Sequence, residues 1–402
     1  GGRLQLGGRR SGDERAVRRD RERQVRVAVN AEQLLYHSPG GIGRYTAQIL
    51  SGMPRLFPDD EMAAFTARHP RRTVNAAMRA AGVIEQATIL GLSRPLLYDG
   101  WLRLGRPRLP KSLNADLVHA PSVAVPPHPG VPLVVTVHDV ASELFPESFP
   151  RRGRRFHRLG LRAAERRADV VLTVSHSAAA DIVEHTSIAP DRIRVVHNGI
   201  DPLPLDLERR ARILRSLGLT NHRYVLWLGS FEPRKGVGTI LAAMAELRRR
   251  RSGSDVYLVL AGYEGWLEEG LVDPADRVAL GESLRQIGRV NEEELWALYG
   301  GAVLFAFPSR YEGFGLPVVE AMSQGAPVIA SDIAAIREVA AGSARLVSPS
   351  APEAWADTID ELLDDDNERQ KMSEAGMERS RQLGLDATLR GIRAVYQDLA
   401  GS

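Results

Sequence analysis

The chain has 402 residues, 44% of them apolar and 26% charged, with a formal net charge of +3 and no cysteine. That length exceeds one ordinary hydrophobic core, so two domains are expected, and the composition is that of a soluble globular protein. The missing cysteines exclude disulfides, thiolate metal sites and a cysteine nucleophile, and they fit a reducing, cytoplasmic compartment.

Residues 1–26 carry nine Arg against four acids with almost no apolar pattern, so 1–24 reads as a disordered basic leader. Apolar runs reach only about five to eight residues, far short of the roughly 20 that a membrane-spanning helix needs. The runs share one style. "VRVAV" (25–29), "DLVHA" (116–120), "PLVVTVHD" (132–139), "DVVLTVS" (169–175) and "IRVVHNG" (193–199) come first. "YVLWLG" (224–229), "VYLVLAG" (256–262), "VLFAFPS" (303–309) and "PVIAS" (327–331) follow. Continuous rather than alternating apolar runs imply strands buried on both faces, hence parallel sheets. Helical patterns lie between them, so the fold class is α/β with doubly wound sheets.

In chain order, the first stretch of chemical interest is "HSPGGIGRYTAQ" (37–48), where Gly40, Gly41 and Gly43 are predicted to form a turn between the first strand and the first helix. Such a turn lets a backbone approach a ligand closely, or simply packs tightly. "VTVHDV" (135–140) puts His138 and Asp139 at the carboxyl end of a buried strand, the edge of an open α/β sheet where ligands bind. His138 there is a structural residue or a donor to a substrate hydroxyl. His176 and His197 sit at similar edges. "RRGRRFHRLGLRAAERRAD" (151–169) holds eight Arg between 151 and 167. It reads first as a solvated basic helix face, and alternatively as a surface for anionic lipid. "DPLPLDLERR" (201–210) interrupts periodicity with two prolines and is the expected hinge. The domains are therefore expected at 25–203 and 204–385, with 386–402 an amphipathic helix crossing back to the first.

In the second half, "LGSFEPRKGVGTIL" (228–241) runs from a strand end at Gly229 through Arg234 and Lys235 into a helix. Two cations beside unpaired helix N–H groups make an anion site, for which phosphate is the natural occupant; a solvated basic loop is the plainer reading. "NEEELWALYGGA" (291–302) opens with a capping box, Asn291 with Glu294. "RYEGFGLPVVEAM" (310–322) places Glu312 in the loop after a strand, Gly313 and Gly315 around Phe314, Pro317 as the first helical residue, and Glu320 in the first helical turn. The amides of Phe314, Gly315 and Leu316 and both carboxylates are expected to face one space. Amides suit phosphate or sugar oxygens, and carboxylates accept from sugar hydroxyls, a vicinal diol such as ribose included.

Glu312, seven residues and Glu320, set in "PSRYEGFGLPVVEAMSQGAPVIAS", resemble the pattern of the family 4 retaining glycosyltransferases. "GGIGRYT", "TVHD", "TVSHSA", "HNGID", "LGSFEPRKG" and "GRVNEEELWALY" follow the family order, so the resemblance spans about residues 25–400. It implies a GT-B fold, two Rossmann-like domains facing a cleft. It implies a nucleotide-sugar donor held mainly by the second domain and an acceptor, a glycan or a lipid-linked molecule, held by the first. By resemblance, Arg234 and Lys235 bind the donor diphosphate with Gly40, Gly41, Gly229, Ser230 and the backbone of Phe314, Gly315 and Leu316. Glu320 binds ribose, Arg289 and Val290 lie near the base, Glu312 holds the transferred sugar, and His138 sits beside its anomeric carbon. Arg234, Lys235, Glu312 and His138 are thus the expected catalytic set.

The resemblance implies no metal and no further cofactor. Ser230 departs from relatives that carry Arg there, and Gly236 from the Asn of one large subgroup. The glycine and "EPRKG" blocks look most like bacterial mannosyltransferases of surface polysaccharide or glycolipid, which makes GDP-mannose the expected donor and UDP- or dTDP-sugars the alternatives. A sugar-nucleotide epimerase of the same fold and a non-catalytic nucleotide-sugar binder are the other readings. No nucleic-acid partner is expected, since aromatic residues are 6% of the chain and no binding motif occurs.

Overall fold

The computed structural model describes residues 24–37, 40–220, 222–251, 255–262 and 273–401. All but the last residue of the basic leader expected over 1–24 lies outside the described residues. Two parallel sheets form. The first holds β1 (Arg26–Asn30), β2 (Glu61–Thr66), β3 (Thr88–Ile89), β4 (Leu117–Ala120), β5 (Leu133–Thr136), β6 (Val170–Thr173) and β7 (Ile193–Val195), in the order β3-β2-β1-β4-β5-β6-β7. The second holds β8 (Arg223–Leu228), β9 (Val256–Ala261), β10 (Leu284–Gly288), β11 (Leu304–Phe307), β12 (Val328–Ser331) and β13 (Arg345–Val347), in the order β10-β9-β8-β11-β12-β13. Inner strands such as β4, β5, β11 and β12 are buried at every residue, as their continuous Val, Leu, Ile and Phe runs require. In the second sheet, strand order reverses between β8 and β11, which pair directly. The loops leaving these two strands therefore flank the switch point where open α/β sheets bind ligands.

The helices that matter below are α1 (Gly40–Leu56), α2 (Arg151–Arg167), α3 (His176–His185), α4 (Val237–Arg250), α5 (Glu292–Gly301), α6 (Leu316–Ser323), α7 (Ala334–Ala340) and α8 (Leu385–Ala400). Gly40, Gly41 and Gly43 belong to α1 itself, not to a turn before it. Tyr45, Ile49, Leu50 and Met53 bury the face of that helix, and such packing overrides the poor helix propensity of glycine. α5 has the expected capping box: the Asn291 side chain accepts from Glu294 N–H at 3.0 Å, and Glu294 accepts from Asn291 N–H at 2.8 Å. α2 buries Gly160, Leu161, Ala163 and Ala164 and exposes Arg151, Arg152, Arg155, Arg158, Arg162 and Arg166. Among the described residues no helix is long and apolar enough to cross a membrane.

By backbone proximity the chain divides into two units. One comprises the described residues up to Thr136, Arg166–Val171 and the chain from Leu389 onward; the other comprises Val137–Glu165 and Leu172–Thr388. Within the second unit, 137–165 and 172–200 bond to the loops of the second sheet. Val140 N–H donates to the Tyr311 hydroxyl at 3.4 Å, Ser175 Oγ donates to Gly313 O at 2.6 Å, and His176 N–H donates to Glu338 at 2.9 Å. In the first unit, α8 is anchored by Arg393, which donates to Asp60 Oδ2 at 2.6 Å, and by Tyr396, whose hydroxyl is 2.6 Å from His119 Nδ1.

Candidate functional site

Strand β8 ends at Leu228, just after the buried Trp227, and the chain then turns through Gly229 and Ser230 into a short 3-10 turn, Pro233–Lys235, before α4 begins. Gly236 joins turn to helix with φ of 68°, and a Cβ there would lie 2.1 Å from Pro308 O. Only glycine fits both the left-handed backbone and the close approach of the loop after β11. Trp227 Nε1 donates to Lys235 O at 3.2 Å, and Arg310 N–H donates to Arg234 O at 2.8 Å. The two loops are thus fixed against each other, and Arg234 and Lys235 are held on a built surface rather than a solvated one.

Their side chains meet Glu312. Lys235 Nζ donates to Glu312 Oε1 at 2.7 Å, and Arg234 lies 3.6 Å from Glu312 Oε2. Arg234 also donates to Glu232 Oε1 at 2.7 Å and to Tyr311 O at 2.9 Å. Side-chain exposure is 12% for Arg234, 15% for Lys235 and 10% for Glu312, so the network is largely withdrawn from water. Burial alone would push the Glu312 carboxyl up, but Lys235 and Arg234 outweigh it and hold it below the ordinary carboxylate range. Burial likewise disfavours the Arg234 cation, and Glu312, Glu232 and Asp139 overcome that and raise its pKa. Arg234 Nε is buried and has no hydrogen-bond partner among the described residues. A buried guanidinium N–H without an acceptor is costly.

The start of α6 faces the same strand ends. Gly315 is its N-cap, and no side chain caps it. The helix begins at Leu316, so Pro317 is its second residue and Glu320 its fifth. This corrects the expectation that Pro317 opens the helix and that Glu320 falls in its first turn. Glu320 is only 2% exposed, and Tyr299 of α5 donates to its Oε2 at 2.9 Å. Phe314 is buried in the core at 4% exposure and Leu316 is half-buried. His138, half-buried, lies against this loop: a Cβ on Gly313 would fall 2.2 Å from His138 O. Tyr311 holds that approach, its hydroxyl donating to Asp181 Oδ2 at 2.8 Å and its ring lying 5.5 Å from that of Phe145.

Within the second unit the structure therefore brings together His138, Arg234, Lys235, Glu312 and the Phe314–Leu316 loop. Gly229 and Ser230 lead into the turn that carries the cations, Gly229 N–H donating to Ala261 O at 3.1 Å. Arg289, exposed, and Val290, which packs on the core, follow the edge strand β10. Gly40 and Gly41 lie in the first unit, exposed at the start of α1. Sequence reasoning missed three residues: Glu232, which holds Arg234 from two positions away; Tyr299, which holds Glu320; and Tyr311. The acid before the proline in "FEPRKG" was the available signal for Glu232; the two tyrosines left none. Chemically, the second unit holds two cations, each paired with a carboxylate, and a helix start that no side chain caps, groups of the kind that suit an anion.

Two family models match adjoining parts of the chain: "Glycosyltransferase Family 4" over residues 39–202 and "Glycosyl transferases group 1" over residues 210–379. An O-antigen chain mannosyltransferase B of Escherichia coli is 28% identical over 359 residues, 86% of this chain and 93% of that protein. A D-inositol 3-phosphate glycosyltransferase of Corynebacterium efficiens is 31% identical over 285 residues, 67% of this chain and 66% of that protein. Among solved structures, Anabaena HepE, in complex with UDP and glucose, superposes with a TM-score of 0.73 at 18% identity, covering 94% of this chain and 100% of that one. That likeness carries the fold, two parallel Rossmann-like sheets of the GT-B type.

Proposed function

Since the chain belongs to the family 4 glycosyltransferases, we propose that it moves a hexose, with retention at the anomeric carbon, from a nucleotide sugar to a glycan or lipid-linked acceptor. The observation that carries this reading is the buried Arg234–Lys235–Glu232–Glu312 network beside the uncapped start of α6, with Arg234 Nε still lacking an acceptor. A diphosphate supplies that acceptor. GDP-mannose is the first donor, which the similarity to a mannosyltransferase over 86% of the chain supports.

In the proposed reaction the bond between the anomeric carbon and the β-phosphate oxygen breaks as an oxocarbenium-like state forms. Negative charge grows on the leaving diphosphate, where Lys235, Arg234 and the amides of Phe314, Gly315 and Leu316 stabilise it. The acceptor oxygen bonds to the same face of the anomeric carbon, and its proton passes to the leaving phosphate oxygen. Glu312 orients the sugar hydroxyls, His138 closes the space beside the anomeric carbon, and Glu320 holds ribose. Binding of the diphosphate competes with Glu312 for Lys235, so donor entry also releases Glu312 toward sugar hydroxyls.

Thermal melts with GDP, UDP, dTDP and ADP test the reading. A ligand present at 100 times its Kd stabilises by about 2.7 kcal/mol. GDP is expected to give the largest rise, and failure of all four to raise the melting temperature overturns the proposal. A second arm incubates donor alone: conversion of the sugar without acceptor would establish an epimerase instead.

A further inference from the structure

Apart from the donor loops, the second unit gathers three side chains with metal-ligand chemistry. His176 opens α3, His197 follows β7, and Glu338 lies in α7. One ligand atom from each lies within 4.8 Å of the other two. His197 Nε2 is 2.7 Å from Glu338 Oε1. The other contacts of the carboxylate are backbone amides, from His176 N–H at 2.9 Å and Ser177 N–H at 3.0 Å. Hydrogen bonds of this kind orient metal-bound carboxylates.

The backbone around the three groups is also fixed. Arg379 donates to Val339 O at 2.8 Å and to Glu338 O at 3.1 Å, which pins the end of α7. Thr388 Oγ1 donates to His197 O at 2.8 Å. The rings of His176 and His197 meet edge to face with centroids 5.8 Å apart. The side chain of His176 is exposed, and its ring nitrogens make no hydrogen bond among the described residues. An ion pair between His197 and Glu338 leaves His176 without a role, whereas a metal ion uses all three.

We propose that His176, His197 and Glu338 form a site for a borderline divalent cation, zinc being the best match. Two imidazole nitrogens and one carboxylate are a ligand set that holds zinc with a fourth position open, and imidazole disfavours magnesium and calcium. Ligands about 2.0–2.1 Å from a tetrahedral zinc stand roughly 3.3 Å apart. The exposed His176 ring therefore moves inward by on the order of 1 Å through side-chain rotation, while the His197–Glu338 pair opens from 2.7 Å toward that spacing. The ring of His197 is 5.9 Å from that of Phe314, the residue that leads into α6. Occupancy would tie α3, α7 and the 197 loop together beside the donor loop. Nothing in this site depends on which donor or acceptor the protein uses.

The test is equilibrium dialysis of EDTA-stripped protein against zinc, with the bound metal counted, and thermal melts with and without zinc. Wild type and His185→Ala, which alters another histidine of α3, are expected to bind one equivalent and to melt higher with zinc. His176→Ala and His197→Ala are expected to bind about 10-fold more weakly or worse and to show no thermal gain. The exposed side chain of His176 makes that variant decisive even if His197→Ala folds poorly. Uptake by His176→Ala as tight as wild type, or no uptake by wild type, overturns the site.

Discussion

Replacement of Lys235 by Ala removes the ammonium that bridges Glu312 and, by this account, the donor diphosphate. A hydrogen bond to a charged partner contributes about 1.5–3 kcal/mol, and about 1.4 kcal/mol is tenfold in affinity. In the free protein Lys235 is already 2.7 Å from Glu312 at 15% exposure, so binding exchanges one buried partner for another. The gain therefore falls in the lower half of that range, which places the loss of nucleoside diphosphate affinity at about 10- to 40-fold. Glu312 keeps Arg234 at 3.6 Å in the variant, so the carboxylate is not left as an unpaired buried charge and the chain is expected to fold. Titration calorimetry with the best-binding nucleoside diphosphate measures the effect, and circular dichroism verifies the fold. Affinity within about twofold of wild type in a folded Lys235→Ala protein would refute the placement of the diphosphate.

Three further outcomes follow from the same geometry. Gly236→Ala meets both a φ of 68° and Pro308 O at 2.1 Å, so it is expected to lower the melting temperature and displace the cation loop, costing at least about 1–3 kcal/mol. Tyr299→Phe removes the donor to the buried Glu320 and is expected to destabilise by about 1–3 kcal/mol in chemical denaturation, with unchanged stability contradicting the bond. The pKa of Glu312 is depressed in the folded state, so its stabilising contribution is complete above the unfolded carboxylate value of about 4.3 and is lost as pH falls through the lower folded value. Melting temperatures of wild type and Glu312→Gln should therefore run parallel from neutral pH down to about 5 and converge below it, and a constant gap at acid pH would contradict the pairing.

Much of this architecture was legible because parallel strands buried on both faces leave continuous apolar runs. Each of the nine strand-like runs overlaps a strand. The strands that escaped were β2, β3, β10 and β13. β3, β10 and β13 are short or half-exposed edge strands, and β2, "EMAAFT", is alanine-rich, so neither hydrophobicity nor β propensity marked them. The extent of α1 was misjudged from local propensity, since tertiary packing rather than glycine content decides it. At the site, the cations and the two acids of the 310–322 stretch carried a readable pattern, but their mutual neutralisation did not. Lys235 and Glu312 meet only because β8 and β11 are neighbours, a pairing no local pattern records. The His176–Glu338 contact joins residues 162 positions apart and was invisible for the same reason.

The most direct measurement is a crystal structure with a nucleoside diphosphate bound. The account predicts phosphate oxygens within hydrogen-bonding distance of Lys235 Nζ and the Arg234 guanidinium, and of amides at the Phe314–Leu316 turn, with Glu312 parted from Lys235. Phosphates seated elsewhere, with the Lys235–Glu312 pair still closed, would contradict it.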